Sequence, residues 1–554
     1  MALLAAIFVS RFFLTFSTEV NWDEFYYLSN TYEHMRGELL RPLQTLHVHA
    51  FAWLGSVSVN EVKQVAIARL VMLALSIATT IFLFEICRHF TSPLAALVAV
   101  LGYASFSFVI RHGDSFRADP IATALLMGAL YIVICHRWHF IWFALAGILI
   151  GISGLVTIKS ALFIPFFACV MLVSIFQSDE RIKAMAACAV AFFSALAIFG
   201  TFYLLHKSSL PPQISSSGLE IASGGFTKTL FSEGLFPQSA ILIAALSTNP
   251  LHVAALVFGI IFLIVNSGKA GTNSKLRSLL QFSFLLPLIT LIFYRNSYPY
   301  YYPMILAPAA VFFAIGAQAF ISNETGIADY RRLLLAVFAL FLFLTGKNIY
   351  QAFERTSNVQ RITLDAIHKM FPEPVSYIDR NSMVSSFPKK GFFMSSWGLE
   401  NYKEAGVPVM PTIISESQPA FLIANIETLD LRHPETTERL PPSRKLFKED
   451  LEALRANYIH HWGFIHVAGK HFKEISAQSE EEFSVLIEGT YTLEAARSLM
   501  IDGKTIDPGN QVFLNQGTHI LQANSPDTNV ILRLGKNLYR PEYPAPDEPI
   551  YTGF

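Results

Sequence analysis

The acidic pair Asp23-Glu24 directly follows an apolar segment, within Asn21-Trp22-Asp23-Glu24-Phe25-Tyr26-Tyr27. A carboxylate at a membrane boundary is partly desolvated, and that is where a proton acceptor can be tuned. A second polar group is Arg111-His112-Gly113-Asp114-Ser115-Phe116-Arg117-Ala118-Asp119-Pro120. A third combines Lys159 with Tyr294-Arg295-Asn296-Ser297-Tyr298-Pro299-Tyr300-Tyr301-Tyr302. Cations of this kind bind phosphate, and arginine can do so bidentately. A carboxylate beside them takes a proton from an acceptor. Together they suit a reaction between a phosphate-linked lipid and a hydroxyl or amine. The lipid tail lying between membrane spans would account for the use of a bilayer.

Each feature also has a structural reading. Boundary charges in loops are usually solvated, and an Asp-Glu pair in a loop is more often a solvated surface feature than a functional one. Lys159 and Arg295 are equally compatible with interfacial anchors, because tyrosine belts and snorkelling cations are common at membrane surfaces. His47, His49 and His112 raise the question of a metal site, but no fixed ligand spacing is visible, and satisfied structural histidines explain them. Arg11 lies inside the first apolar segment, where a charge is costly, and reads as an internal partner for a carboxylate or phosphate.

These groups need a scaffold, and composition indicates which. The 554 residues are 53% hydrophobic and 15% charged, with mean hydropathy +0.43, whereas a soluble chain is about one quarter charged. The apolar excess precedes residue 347 and falls in runs of about 15–25 residues, long enough to cross a bilayer core. The fold class expected is a polytopic α-helical membrane protein with about eleven transmembrane helices. They are placed at 2–18, 64–84, 94–110, 121–135, 141–157, 161–177, 184–205, 240–265, 279–293, 301–320 and 331–347. Asn249-Pro250 breaks the 240–265 segment into a bent span or a span plus a surface helix. The first segment reads as a retained span and not a cleaved signal peptide.

Lys and Arg in short loops set the orientation. Arg88, Arg137, Arg181, Lys183, Lys269, Lys275, Arg277, Arg331 and Arg332 share one side, expected to be cytoplasmic along with the N-terminus. The three polar groups and everything after 347 then face outside, although Arg36, Arg41, Lys63, Arg111, Arg117 and Arg295 make the asymmetry imperfect. Asn323-Glu324-Thr325 matches a glycosylation acceptor but falls on the expected inner side. The loop after the first span is expected to hold two amphipathic helices, 23–35 and 42–54, lying on the membrane surface or packed in the loop.

The chain has zero net charge and no basic block, so nucleic acid is not an expected partner. Cys87, Cys135, Cys169 and Cys188 lie within or beside spans, which excludes a disulfide-stapled ectodomain and fits either side of a bacterial inner membrane. Three domains are expected: a membrane domain 1–347, an extracytoplasmic α/β region 348–480, and a β-sandwich-like module 481–554. An amphipathic helix is expected over 358–371. Val485, Ile487, Tyr491 and Leu493 read as one alternating strand, and Met500-Ile501-Asp502-Gly503-Lys504 as a strand entering an Asp-Gly turn. Val512-Phe513-Leu514 and His519-Ile520-Leu521 continue the pattern.

The order of these features resembles the GT-C superfamily of integral-membrane glycosyltransferases. Within it, the resemblance is to the aminoarabinose and galacturonic acid transferases of lipid A and core and to protein O-mannosyltransferases. It rests on Arg11 followed by Asp23-Glu24-Phe25-Tyr26-Tyr27, on Arg117-Ala118-Asp119-Pro120 leading to Ala129-Leu130-Tyr131, on Lys159 before Pro165, and on Tyr298-Pro299-Tyr300-Tyr301-Tyr302-Pro303 leading to Pro308. It covers residues 1–320, and the C-terminal region departs from simpler members, which end near the last span.

The resemblance implies a polyprenyl-phosphate sugar donor, a glycan, glycolipid or protein acceptor, and a site at the periplasmic face. It implies a catalytic group: Asp23 as catalytic carboxylate, Glu24 as its structural or donor-binding neighbour, and Asp119 as the second acidic residue, with Asp114 competing for that last role. Arg117, Lys159 and Arg295 would hold the donor phosphate. His112, Asp114, Tyr298 and Tyr301 are candidate donor or acceptor contacts. No cofactor is required by the sequence, and a divalent metal is neither demanded nor excluded. The activity expected is inverting transfer of one sugar to an envelope acceptor such as lipopolysaccharide. A transporter or flippase of lipid-linked sugars, or a non-catalytic envelope assembly protein, would be the alternative. Transporters, however, place polar groups near the midplane and often show repeats.

Overall fold

The computed structural model describes residues 1–212, 230, 234–267, 272–322, 330–473, 475–476, 479–523, 526 and 529–553. The Asn323-Glu324-Thr325 triplet, Lys269 and most of the 206–239 loop lie outside the described residues. The chain forms two compact units. Unit 1 holds Met1–Thr18, Glu33–Leu54 and Val65–Arg355, and unit 2 holds Glu19–Tyr32, Gly55–Gln64 and Thr356–Phe554.

Unit 1 is helical because its apolar runs have no water with which to satisfy backbone groups, and a helix satisfies them internally. Among the described residues, six helices are long and apolar enough to cross a membrane, or up to eight if each of two bent pairs is one span. The six are Glu61–Phe90, Ala118–Cys135, Ile158–Gln177, Arg181–Ser208, Pro250–Ser267 and Ala336–Phe353. The bent pairs turn by 43° between Lys275–Ser283 and Leu286–Ile292, and by 47° between Pro299–Ala309 and Val311–Ile321. Ala2–Ser17, Pro93–Ser105, Phe140–Val156 and Ser239–Thr248 are shorter apolar helices. Each expected segment therefore falls on a helix or a broken pair, but the full count of eleven spans is not reached by length and composition alone.

The 240–265 segment breaks where expected. Asn249 leaves the helix, accepting from the Ser107 backbone N–H at 2.8 Å and donating to the Ser107 hydroxyl at 2.7 Å. Pro250 then opens the next helix, where its missing N–H costs nothing. Small residues let helices approach closely. A Cβ on Gly147 would lie 2.1 Å from the Ala191 carbonyl oxygen, and one on Gly151 would lie 2.6 Å from that of Ala195. This small-xxx-small seam joins Phe140–Val156 to Arg181–Ser208.

The first loop holds one of its two expected helices, Trp22–Met35. Phe25 and Leu28 on it are fully buried, so these side chains pack against protein. The second, expected over 42–54, begins only at Val48. Pro42 and Gln44, the latter at φ 65°, keep the chain before it out of helical geometry.

Unit 2 contains the expected amphipathic helix, Asn358–Met370, with Val359, Ala366, Ile367 and Met370 buried. Its strands are β1 (Tyr377–Ile378), β2 (Lys389–Lys390), β3 (Phe421–Ile423), β4 (Tyr458–Trp462), β5 (Ile465–Phe472), β6 (Glu480–Val485), β7 (Gly489–Glu494), β8 (Leu499–Ile501), β9 (Lys504–Ile506), β10 (Gln511–Leu514), β11 (Gly517–Gln522) and β12 (Val530–Leu534). One eight-stranded sheet runs β10-β7-β12-β5-β3-β1-β2, with β4 on β5, and a four-stranded sheet runs β6-β11-β8-β9. Among the described residues, only the β1 pairings with β2 and β3 are parallel.

The larger sheet continues through residue 480, because β12 pairs with β5 on one side and β7 on the other. The expected boundary there does not coincide with a break in the sheet. The single strand expected over Val485–Leu493 is two, β6 and β7, in different sheets. Leu493, Leu514 and Leu532 from the larger sheet share a core with Val485, Ile501 and Leu521 from the smaller. The Asp-Gly turn is present, with Asp502 at φ 50° and Gly503 at φ 75° closing the β8–β9 hairpin, as a primed turn requires.

Candidate functional site

In unit 1, the helix Ala118–Cys135 begins after Arg117 and places Asp119 in its first turn, where the helix dipole favours negative charge. Two cations meet this buried carboxylate. Lys159 donates to Asp119 Oδ1, and Arg117 Nε donates to Oδ2 at 3.3 Å. Thr157 sets the Lys159 turn, its hydroxyl accepting from the Lys159 backbone N–H. Tyr300 lies beneath both cations, with the Arg117 guanidinium carbon 3.6 Å and the Lys159 ammonium 4.4 Å from the ring centroid. The cluster thus brings two cations and one carboxylate together over a single aromatic ring.

The flanking residues divide by role. Tyr298 stacks on Tyr300 with ring centroids 5.8 Å apart. Tyr301 is fully buried and shares a hydrogen bond with the Thr290 hydroxyl at 2.9 Å, a structural position. Arg295 offers its backbone carbonyl to Gln238 at 3.0 Å, and Asp119 forms ion pairs with Lys159 and Arg117. Asp114 pairs instead with Arg11, at 3.3 Å, while Arg11 also donates to the Ser76 hydroxyl at 2.9 Å. Gly113 gives Arg11 its space, since a Cβ there would sit 2.7 Å from the guanidinium.

Burial lowers the His112 imidazole to about 3, and the charges of Arg117, Arg111, Arg355 and Arg69 act in the same direction. His112 is therefore neutral at physiological pH.

In unit 2, Asp23 and Glu24 open the helix Trp22–Met35. Asn21 caps it, with its side-chain oxygen accepting from the Asp23 backbone N–H at 3.0 Å. Glu24 reaches back to accept from the Asn21 backbone N–H at 2.9 Å. This reciprocal pair is a capping box. It places Glu24, which is 1% exposed, in the cap, and Asp23 is the less buried carboxylate. The signal was present as Asn-x-x-Glu. Gln360, donating to the Val20 carbonyl at 2.8 Å, and Asn381, donating to the Trp22 carbonyl at 2.7 Å, anchor the segment from within unit 2.

Among the described residues, no group of three His, Cys, Asp or Glu side chains is placed to share a metal ion. His49 and His206 are joined by a 2.8 Å hydrogen bond, with Thr45 on the far nitrogen of His206, and His47 packs against Phe116. Asp119 already faces two cations, so its surroundings do not fit a divalent cation.

No family model matches the chain, and no curated protein matches it. Among solved structures, ArnT from Cupriavidus metallidurans bound to undecaprenyl phosphate superposes with a TM-score of 0.51 and 14% identity, covering 79% of this chain and 95% of that one. The Archaeoglobus fulgidus oligosaccharyltransferase in complex with Zn and sulfate gives a TM-score of 0.51 and 12% identity, covering 93% of this chain and 75% of that one. At this identity the likeness is one of fold. This chain shares the fold of these two proteins.

Proposed function

We propose that this protein is an inverting glycosyltransferase of a bacterial inner membrane. It moves one sugar from a polyprenyl-phosphate donor to an envelope acceptor at the extracytoplasmic face. The observation that carries the reading is the convergence of Arg117 and Lys159 on buried Asp119 over the Tyr300 ring. Such a cation pair suits a lipid phosphate whose charge grows as it leaves. The shared fold with ArnT, whose structure is bound to undecaprenyl phosphate, supports a donor of this kind.

In this mechanism the acceptor oxygen forms its bond to the anomeric carbon as the bond from that carbon to the phosphate oxygen breaks. The acceptor proton passes to Asp23. The electron pair of the broken bond stays on the lipid phosphate, held by Lys159 and Arg117. Phosphate is a good leaving group, so no general acid is needed. Asp119 orients the two cations, and Glu24 holds the turn that presents Asp23. Arg295, His112, Asp114, Tyr298 and Tyr301 are assigned no bond-making step. The N-terminus is cytoplasmic in this reading, and residues after 347 are extracytoplasmic.

The test is sugar transfer by detergent-purified protein from a polyprenyl-phosphate donor to an envelope extract. Product that forms without a membrane barrier, and is lost on Lys159→Met, supports the reading. Normal turnover by that variant contradicts it.

A further inference from the structure

Arg380 belongs to unit 2, in the loop after β1. Asp379 beside it is saturated: its carboxylate accepts from the backbone N–H groups of Asn381, Ser382 and Met383 and from the Asn425 side chain, at 2.7–3.1 Å. It has no capacity left for Arg380. The Arg380 guanidinium instead lies over Trp22, its carbon 3.9 Å from the ring centroid, and 5.9 Å from that of Tyr551. Those two rings meet edge to face at 5.7 Å. Asn381 ties the arrangement together, donating to the Trp22 carbonyl and accepting from the Tyr551 hydroxyl at 3.2 Å.

Among the described residues, no acceptor is hydrogen-bonded to the Arg380 side chain, and its Nε is buried. A buried Nε with no acceptor is costly, and the charges of Asp23 and Asp379 act on the guanidinium without a hydrogen bond to it. Its stack on Trp22 fixes the fork in advance, so an incoming anion would pay little of the ordering cost. Trp22 immediately precedes Asp23.

We propose that Arg380, with Trp22 and Tyr551, forms an anion-binding subsite that receives a carboxylate or phosphate group of the acceptor beside Asp23. The assignment to the acceptor rests on the reading of Asp23 as the base that takes the acceptor proton. The acceptor is then an acidic or phosphorylated glycan, and not a neutral one.

The full-length protein in detergent provides the test, with Trp22 as reporter and inorganic phosphate as probe at constant ionic strength. A saturable change in tryptophan emission is expected, absent in Trp22→Phe. Arg380→Gln is expected to weaken it about tenfold or more, the scale of a lost charge-assisted hydrogen bond. Arg380→Lys, which keeps the charge but loses the planar fork, should fall between and serves if the glutamine variant does not fold. Emission that ignores phosphate and acetate alike, or that responds identically in both Arg380 variants, overturns the subsite.

Turnover separates the sources. Arg380→Gln should raise the acceptor KM and leave the donor KM unchanged, whereas a rise in the donor KM alone overturns the assignment to the acceptor. Arg380-dependent binding in a protein that transfers no sugar would retire the transferase reading and leave the subsite standing. Transfer without such binding would do the reverse.

Discussion

The guanidinium of Arg117 lies 3.6 Å above the ring of Tyr300 while its Nε bonds Asp119 at 3.3 Å. The tyrosine ring and the carboxylate thus hold one cation from two directions, and the same two groups hold Lys159. A cation–π contact of this kind is worth about 0.5–2 kcal/mol. Tyr300→Leu should therefore raise the donor KM by about two- to thirtyfold, and Tyr300→Phe, which keeps the ring, should stay near normal. Steady-state kinetics with varied donor checks this. Equal damage from both substitutions would assign the effect to the hydroxyl.

Glu24 and Asp23 are adjacent but should respond differently. Glu24 accepts from the Asn21 N–H, a role glutamine can fill, so Glu24→Gln should transfer sugar at near wild-type rates. Glu24→Ala should lose about 1 kcal/mol of stability, seen as a lower melting temperature. A dead but well-folded Glu24→Gln would instead put Glu24 in the chemistry.

The seam between Phe140–Val156 and Arg181–Ser208 has no room at Gly147. Gly147→Ala should destabilise the membrane unit by about 1–3 kcal/mol, the cost of overpacking. Gly200→Ala, with nothing within 4 Å of the added carbon, is the control and should be neutral or slightly stabilising. Thermal unfolding in one detergent compares them, and equal melting temperatures would argue against the close approach.

His519 and Asp502 should make unit 2 sensitive to pH. Burial lowers the His519 imidazole, but its bonds to Asp502 at 2.6 Å and to the Asn515 carbonyl at 2.9 Å outweigh this and raise it above 6.5. Both ring nitrogens face acceptors, which suits the protonated ring. For Asp502, burial raises the carboxyl, but the His519 bond outweighs it and takes it below 3.8. The histidine contribution is fully present below 6.5 and is lost as pH rises through its raised value. The aspartate contribution is present above 3.8 and is lost as pH falls through its lowered value. The melting difference between the intact protein and His519→Gln should thus be largest from about pH 4 to 6.5 and shrink above. A difference that grows toward pH 8 would contradict the pairing.

The charged members of the site were legible in the sequence because charges are scarce beside apolar runs: Arg117, Asp119 and Lys159 stood out for that reason. Arg11 also stood out, and its partner Asp114 shows what a charge inside a first span needs. Tyr300 was hidden among five tyrosines, because composition does not tell an interfacial belt from a ring beneath two cations. Arg380 had no motif around it, and its importance arises from Trp22, far away in sequence. The helix breaks at Asn249 and the hairpin turn at Asp502-Gly503 were local and therefore readable. The sheet that runs past residue 480 depends on β12 inserting between β5 and β7, a non-local pairing that no local pattern encodes.

The central claim is that Asp23 takes the acceptor proton in a sugar transfer. Its most direct measurement is mass spectrometry of envelope glycolipids and glycans from cells carrying the intact chain or Asp23→Asn at matched protein levels. The account predicts loss of one sugar-sized mass from one species in the variant. Identical profiles, with the intact chain shown to be responsible for that mass, would contradict it.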